Sequence, residues 1–269
     1  TKLSASAASG ATGRARSPTS SAGSFHRPAD AYPCSEKRST TSTRRAWWRR
    51  ALGETHLEGV AGDVAEPRLG LAQQQWDRLA DAVDHIVHPG ALVNHVLAYE
   101  HLFGPNVFGT AELIRLALTQ RQKRFDFVSS MAVAYRVDTR VAPGAAGGMG
   151  DEDSPLLETL TLGDAYADGY GASKWADEVL LHDAHRRYGL AVNIFRGDMM
   201  MPHRRYRGQI NVPDMFTRLL YSIVMTGLAP ASFYEAGPGG TRAHAHYAGL
   251  PLAFIARAMV GIGCQPQRG

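Results

Sequence analysis

In the stretch Tyr170-Gly171-Ala172-Ser173-Lys174-Trp175 a phenol precedes an ammonium by four places. On a helix that spacing puts both side chains on one face. An ammonium held near a phenol favours the phenolate and lowers the phenol's pKa from about 10 toward neutrality. The tyrosine can then pass a proton to a developing alkoxide, which is the chemistry of carbonyl reduction. With ten tyrosines and four lysines (Lys2, Lys37, Lys123, Lys174) in the chain, about 0.15 such pairs are expected by chance. Support comes from Phe125-Asp126-Phe127-Val128-Ser129-Ser130, an apolar run that reads as a buried strand delivering Ser130 at its carboxyl end. There a serine hydroxyl can donate a hydrogen bond to a substrate carbonyl, so that Ser130 polarises, Tyr170 protonates and Lys174 tunes. Ser129 competes for the first role. The bland alternative makes both serines turn residues and Tyr170 a surface aromatic.

Elements at helix and strand spacing surround these residues. Leu57–Ala61 reads as a short strand ending in Gly62-Asp63, and Leu71–Ala82 as a helix with Trp76 and Leu79 inward. Val83–His88 reads as a strand feeding a Gly90-Ala91 turn, Pro105–Thr119 as a helix, Gly169–Tyr188 as the helix of Tyr170 and Lys174, and Leu190–Phe195 as the next strand. This alternation predicts an α/β fold, a doubly wound parallel sheet of the Rossmann-like kind. Two stretches interrupt it. Ala142–Asp168, with Pro143-Gly144-Ala145-Ala146-Gly147-Gly148-Met149-Gly150, is a Gly-rich loop of a length usually functional or mobile. Met199–Tyr247 leaves the sheet and carries a helix over Val212–Thr226, with Met215, Leu219, Ile223 and Val224 near one face.

Four runs carry a resemblance to a known family: Ile86 to His95, Phe103 to Leu113, Gly169 to Leu181, and Gly208-Gln209-Ile210-Asn211-Val212-Pro213-Asp214-Met215-Phe216-Thr217-Arg218-Leu219. Together they resemble the terminal thioester reductase domain of carboxylic acid reductases, within the extended short-chain dehydrogenase/reductase family, and the likeness runs from about Gly59 to Ala258. It implies NADPH-dependent reduction of an acyl thioester to an aldehyde, the acyl group being held on the phosphopantetheine arm of a carrier domain. It also implies that Ser130, Tyr170 and Lys174 are catalytic and that Lys174 holds the nicotinamide ribose. Asp63 would lie against the adenine, Gly90 and Ala91 against the cofactor, and Met199–Tyr247 would form a small C-terminal substrate lobe. A sugar-nucleotide epimerase or a hydroxysteroid-type dehydrogenase shares the Ser–Tyr–Lys group, but the Gly208–Leu219 run argues against both. Where the family reads histidine, tyrosine, aspartate and glycine, this chain has His246-Tyr247-Ala248-Gly249, which puts one capping or supporting contact in doubt.

The amino-terminal fifth does not follow the pattern. Ser9-Gly10-Ala11-Thr12-Gly13 resembles the family's cofactor turn, which makes Gly10, Thr12 and Gly13 candidate pyrophosphate contacts, but Arg16 stands where a third glycine is expected. From Ser4 through Ala51 there is no Val, Ile, Leu or Met, so no buried strand or core-facing helix can be written there and the first βαβ unit is disrupted. Arg14–Arg50 alone carries +7 against +4 for the whole chain. The basic balance therefore belongs to this segment and is no evidence for a nucleic-acid partner. A disordered basic arm, a transit peptide and a frame error compete. The frame error is favoured because the family pattern stops after Gly13 and resumes near Leu52. The expected organisation is an aberrant low-aliphatic segment over 1–51, a dinucleotide-binding core over 52–198, and mostly substrate lobe and C-terminal elements over 199–269. A non-catalytic remnant unable to bind cofactor is the rival function.

Weaker signals add little. His85, His88 and His95, or His244 and His246, lack the Cys or carboxylate that would complete a zinc set, so no metal is expected. Arg204, Arg205 and Arg207 form a basic turn that could meet a carrier phosphate, or simply a solvated loop. Cys34 and Cys264 offer no disulfide framework and no apolar run approaches membrane length. No membrane partner and a cytoplasmic setting are therefore expected.

Overall fold

Helices cover both faces of a parallel sheet in the computed structural model, which describes residues 58–138, 150–163, 167–201, 215–232, 237–240 and 249–265. The chain divides into two compact units, Ser4–Ala61 and Thr1–Leu3 with Gly62–Gly269. Every element below belongs to the second unit. Gly10, Thr12 and Gly13 lie outside the described residues, as do the aliphatic-free segment and the turn at Arg204, Arg205 and Arg207.

Three strands form the main sheet, β1 (His85–His88), β2 (Arg124–Ser130) and β3 (Val192–Gly197), in that spatial order. Both pairings are parallel, with Ile86 beside Phe125 and Phe125 beside Val192. β2 is central and alternates two buried sets. Phe125 and Phe127 are fully buried in one core with Ile86, Trp76, Ile114, Leu116, Leu181 and Leu190. Ile86 belongs to β1 itself, Trp76 to α1 (Gln73–Ala82), Ile114 and Leu116 to α3 (Gly109–Leu118) and Leu181 to α4 (Asp168–Tyr188), with Leu190 just beyond it. Val128 packs instead with Ile255 and Met259 of α6 (Leu252–Gly263) and with Phe195. The strand is buried on both faces from Phe125 to Ser129, and the carboxylate it buries, Asp126, accepts from Asn193 Nδ2 at 2.7 Å and lies 3.0 Å from His85 Nε2.

Several boundaries differ from expectation. The strand predicted over Leu57–Ala61 is not formed in its described part, since residues 58–61 carry no regular secondary structure; with Val60 the one β-branched residue among Glu58, Gly59 and Ala61, little holds it to a ladder. The helix predicted to begin at Pro105 begins earlier, at α2 (Tyr99–Leu102), and passes through a wide π-type turn over Phe103–Phe108 before α3. Pro105 has no N–H to donate to the preceding turn, so the ladder widens around it. Met199–Met201 does not go straight to a helical lobe. It forms β4, parallel to β5 (Gly249–Pro251), in a second small sheet. The described part of the lobe helix is α5 (Met215–Thr226), on which Leu219 and Ile223 are half-buried while Val224 is 79% exposed, against the expectation that it shares their inward face. No helix among the described residues is long and apolar enough to cross a membrane.

Candidate active site

The chemistry-bearing residues converge where β1 and β2 end against the first turns of α4. At the end of β2 the two serines point apart, as successive strand residues must. Ser129 is buried, and its hydroxyl donates to Glu178 Oε1 at 2.5 Å. Glu178, fully buried on α4, pairs with Arg196 of β3 through Nη2–Oε2 at 2.8 Å and Nε–Oε1 at 3.1 Å. Arg196 also donates to the Asp151 carbonyl at 3.3 Å, which ties the loop between β2 and α4 to the sheet. Ser129 is thus committed to structure. Ser130 is half-buried, and its Oγ accepts from the Ala132 N–H at 3.2 Å, capping the short turn Met131–Val133. An accepting hydroxyl still has its own proton to give.

Two glycines let α4 approach this strand end. A Cβ at Gly169 would meet the backbone of Leu97 and Tyr99, and one at Gly171 would meet the Arg136 guanidinium. Arg136 in turn donates to Asp168 Oδ1 at 2.8 Å, anchoring the first residue of α4. Tyr170 is half-buried with its ring 5.6 Å from that of His95. Lys174 is 2% exposed; its Nζ donates to the Val128 carbonyl at 2.9 Å, sits 4.3 Å from the centre of the Phe127 ring, and lies 4.0 Å from Asp177 Oδ2.

The electrostatics correct one expectation. Tyr170 is not pulled toward neutrality: burial, and then the Asp177 carboxylate, push it up to about 12. The ammonium faces a backbone carbonyl and an aromatic face, and desolvation of the phenolate outweighs it. Burial also pulls Lys174 below the usual amine value, opposed by Asp177 and Glu178. His88, which ends β1, is buried with Nε2 3.2 Å from Thr110 Oγ1, and burial followed by the Lys174 charge lowers it to about 4. It is a neutral core histidine.

Gly90 and Ala91 follow β1 directly, with Gly90 exposed and Ala91 half-buried. The residue that holds this turn was missed by sequence reasoning. Asn106, 1% exposed in the π-type turn, accepts from Leu92 N at 2.7 Å and donates to Leu92 O at 3.3 Å and to Ser173 Oγ at 3.0 Å. Ser173 Oγ in turn donates to the Tyr170 carbonyl at 2.8 Å. One amide thereby joins the turn after β1 to the helix of Tyr170 and Lys174. The available signal was an amide inside an otherwise apolar helical window. Asp63 stands apart, exposed, its Oδ1 accepting from Ala65 N at 2.9 Å in a local turn.

The model of the NAD-binding family described as male sterility protein matches residues 26–259. The carboxylic acid reductase of Mycobacterium marinum is 50% identical over 220 residues, 82% of this chain and 18% of that protein. Among solved structures, the reductase (R) domain of a nonribosomal peptide synthetase from Mycobacterium tuberculosis is 42% identical with a TM-score of 0.67, over 83% of this chain and 50% of that one. The terminal R domain from the myxalamid PKS-NRPS biosynthetic pathway is 32% identical with a TM-score of 0.60, over 77% and 46%. The chain thus spans less than a fifth of the curated relative and about half of the solved domains. It belongs to the NAD-binding, male sterility protein family, and its fold is Rossmann-like α/β.

Proposed function

From that family membership and from Lys174, on the helix of Tyr170, reaching the strand that ends at Ser130, we propose that the chain is a reductase module that converts a carrier-bound acyl thioester to an aldehyde with NADPH. The observation that carries this reading is the buried Lys174 one turn beyond Tyr170, tied by its Nζ to β2 two residues before Ser130. The names of its relatives, carboxylic acid reductase and terminal R domains, support a thioester substrate and a carrier partner.

The described residues fit the nicotinamide half of such a cofactor. An ammonium has three N–H donors, and the Val128 carbonyl takes one from Lys174; the others suit a ribose diol. The exposed backbone of Gly90, which has no side chain, suits close approach. Asp63 would meet the adenine, and Gly10, Thr12 and Gly13 the pyrophosphate. When bound, NADPH supplies the hydride.

The chain's own residues perform the rest. Ser130 donates a hydrogen bond to the thioester carbonyl oxygen, which holds and polarises it as negative charge develops. Tyr170, whose phenol burial and the Asp177 carboxylate make still harder to ionise, carries the proton that the tetrahedral oxygen requires. The resulting hemithioacetal collapses by breaking its C–S bond, releasing aldehyde and the carrier thiol. Lys174 keeps positive charge beside the phenol as its proton leaves.

The test supplies an acylated phosphopantetheine carrier protein and NADPH, and follows aldehyde by chromatography alongside loss of nicotinamide absorbance. Matched stoichiometry is expected. Failure to bind NADPH by titration calorimetry would overturn the reading in favour of a non-catalytic remnant, and reduction of a free ketone with none of the thioester would overturn the substrate class.

A further inference from the structure

On the face of α4 that carries Tyr170 and Lys174, further along the helix, lies a buried carboxylate that the chemistry above does not use. Asp177 is fully buried, one turn beyond Lys174, with Oδ2 4.0 Å from Nζ. The Thr110 hydroxyl approaches it as a donor, but among the described residues neither of its oxygens has a hydrogen bond of good geometry. Burying a carboxylate this way costs several kcal/mol unless an opposite charge compensates it, and Lys174 is the nearest cation.

The groups around the pair come from each neighbouring element. β1 brings His88, which burial keeps neutral, and α2 brings Tyr99, whose phenol is pushed up by burial first and then by Asp177 and Glu100. α3 brings the uncharged Thr110, whose Oγ1 is 3.2 Å from His88 Nε2. β2 brings the Phe127 ring and the Val128 carbonyl. On α4 itself stand Tyr170 and Glu178, and the charge of Glu178 is already taken by Arg196 of β3. No second free cation reaches Asp177 within this described set, and no second unpaired anion reaches Lys174.

We propose that Asp177 is the positioning residue of Lys174, a built-in counterion that keeps the buried ammonium charged and directed at the carboxyl end of β2. The inference rests on the reading of Lys174 as the lysine that holds the cofactor ribose. Burial lowers the Lys174 ammonium below the usual amine value, and the Asp177 carboxylate acts against that. Burial first, and then the same negative charge, raise the Tyr170 phenol. One carboxylate therefore favours both the cationic lysine and the protonated tyrosine, the two forms that reduction needs. Its own carboxyl is pushed up to about 7 by burial, so the device operates on the alkaline side of neutrality and fades on the acid side.

The chain has four lysines, so lysine labelled with carbon-13 at Cε yields a spectrum in which Lys174 is assigned by its loss in Lys174→Arg. Asp177→Asn is expected to lower the midpoint of the Lys174 titration by about one pH unit or more, and an unchanged midpoint overturns the proposal. If that variant does not fold, the unmodified protein decides. Its Lys174 resonance is expected to show a second inflection near pH 7 as Asp177 titrates, and a single inflection overturns the proposal. Both measurements are made without cofactor or substrate, so absence of reductase activity would count against the proposed function and leave this result standing.

Discussion

Replacing Gly169 by alanine separates two effects that normally act together. In an unobstructed helix the change favours folding, because alanine loses less backbone freedom than glycine, by about 1 kcal/mol. At Gly261 of α6, where an added Cβ meets nothing within 4 Å, Gly261→Ala should deliver that gain. At Gly169 the same methyl would stand 2.5 Å from the Leu97 carbonyl oxygen, 2.8 Å from Tyr99 N and 3.0 Å from Ala98 C, all of them main-chain atoms. Comfortable contact begins at about 3.5 Å, so either α4 or residues 97–99 must move by roughly 1 Å, and overpacking of that kind costs about 1–3 kcal/mol. The net expectation is a loss of up to about 2 kcal/mol for Gly169→Ala against a gain of about 1 kcal/mol for Gly261→Ala. Urea unfolding followed by tryptophan fluorescence resolves that difference, since Trp76 is buried in the main core. The displacement also moves Tyr170, so turnover should fall in the first variant and hold in the second. A Gly169→Ala protein whose unfolding midpoint equals or exceeds the parent's would show that α4 does not need its close approach to residues 97–99.

Tyr170→Phe should lower turnover of a carrier-bound thioester at least about a hundredfold with little change in KM for NADPH, because it removes a proton donor and no binding contact; near-normal turnover would remove Tyr170 from the mechanism. His88 is lowered from 6.5 to about 4, so its contribution to stability is fully present above pH 6.5 and is lost as pH falls toward 4, about 3 kcal/mol in all. Asp177, raised to about 7, acts with the opposite sign, being favourable at low pH and lost as pH rises toward 7. The stability of the parent minus that of His88→Gln should therefore climb between pH 4 and 6.5 by about the His88 amount, and a flat difference in urea titrations would refute the linkage. A chimera carrying the corresponding segment of a carboxylic acid reductase in place of residues 4–51 should bind NADPH at least about a hundredfold more tightly than this chain, equivalent to about 2.7 kcal/mol; equal affinities in calorimetry would remove the case for a disrupted phosphate grip.

Much of the framework was legible in the order of residues. The helix of Tyr170 and Lys174 was expected over Gly169–Tyr188 and forms over Asp168–Tyr188, and the strand expected over Phe125–Ser130 forms over Arg124–Ser130. Periodicity, a terminal glycine and an apolar run are local signals, and local signals set where an element can exist. Shorter elements escaped for the same reason. A strand over 58–61 needs a ladder partner, and the wide turn at Pro105 depends on what packs around a missing donor.

What the residues around Tyr170 do to one another was decided by the tertiary structure. Two adjacent serines are equivalent in sequence, and only the position of Glu178 on a neighbouring helix commits Ser129 and leaves Ser130 facing the strand end. The four-residue spacing of Tyr170 and Lys174 correctly gives a shared face, yet the direction of the phenol's shift came from burial and from Asp177, a residue that sequence reading did not single out. Asn106, bonded to Leu92, reaches Ser173 across 67 residues of chain. Desolvation and long-range hydrogen bonds depend on which surfaces meet, and a linear pattern carries the capacity to bury a group without naming the partner it will be buried against.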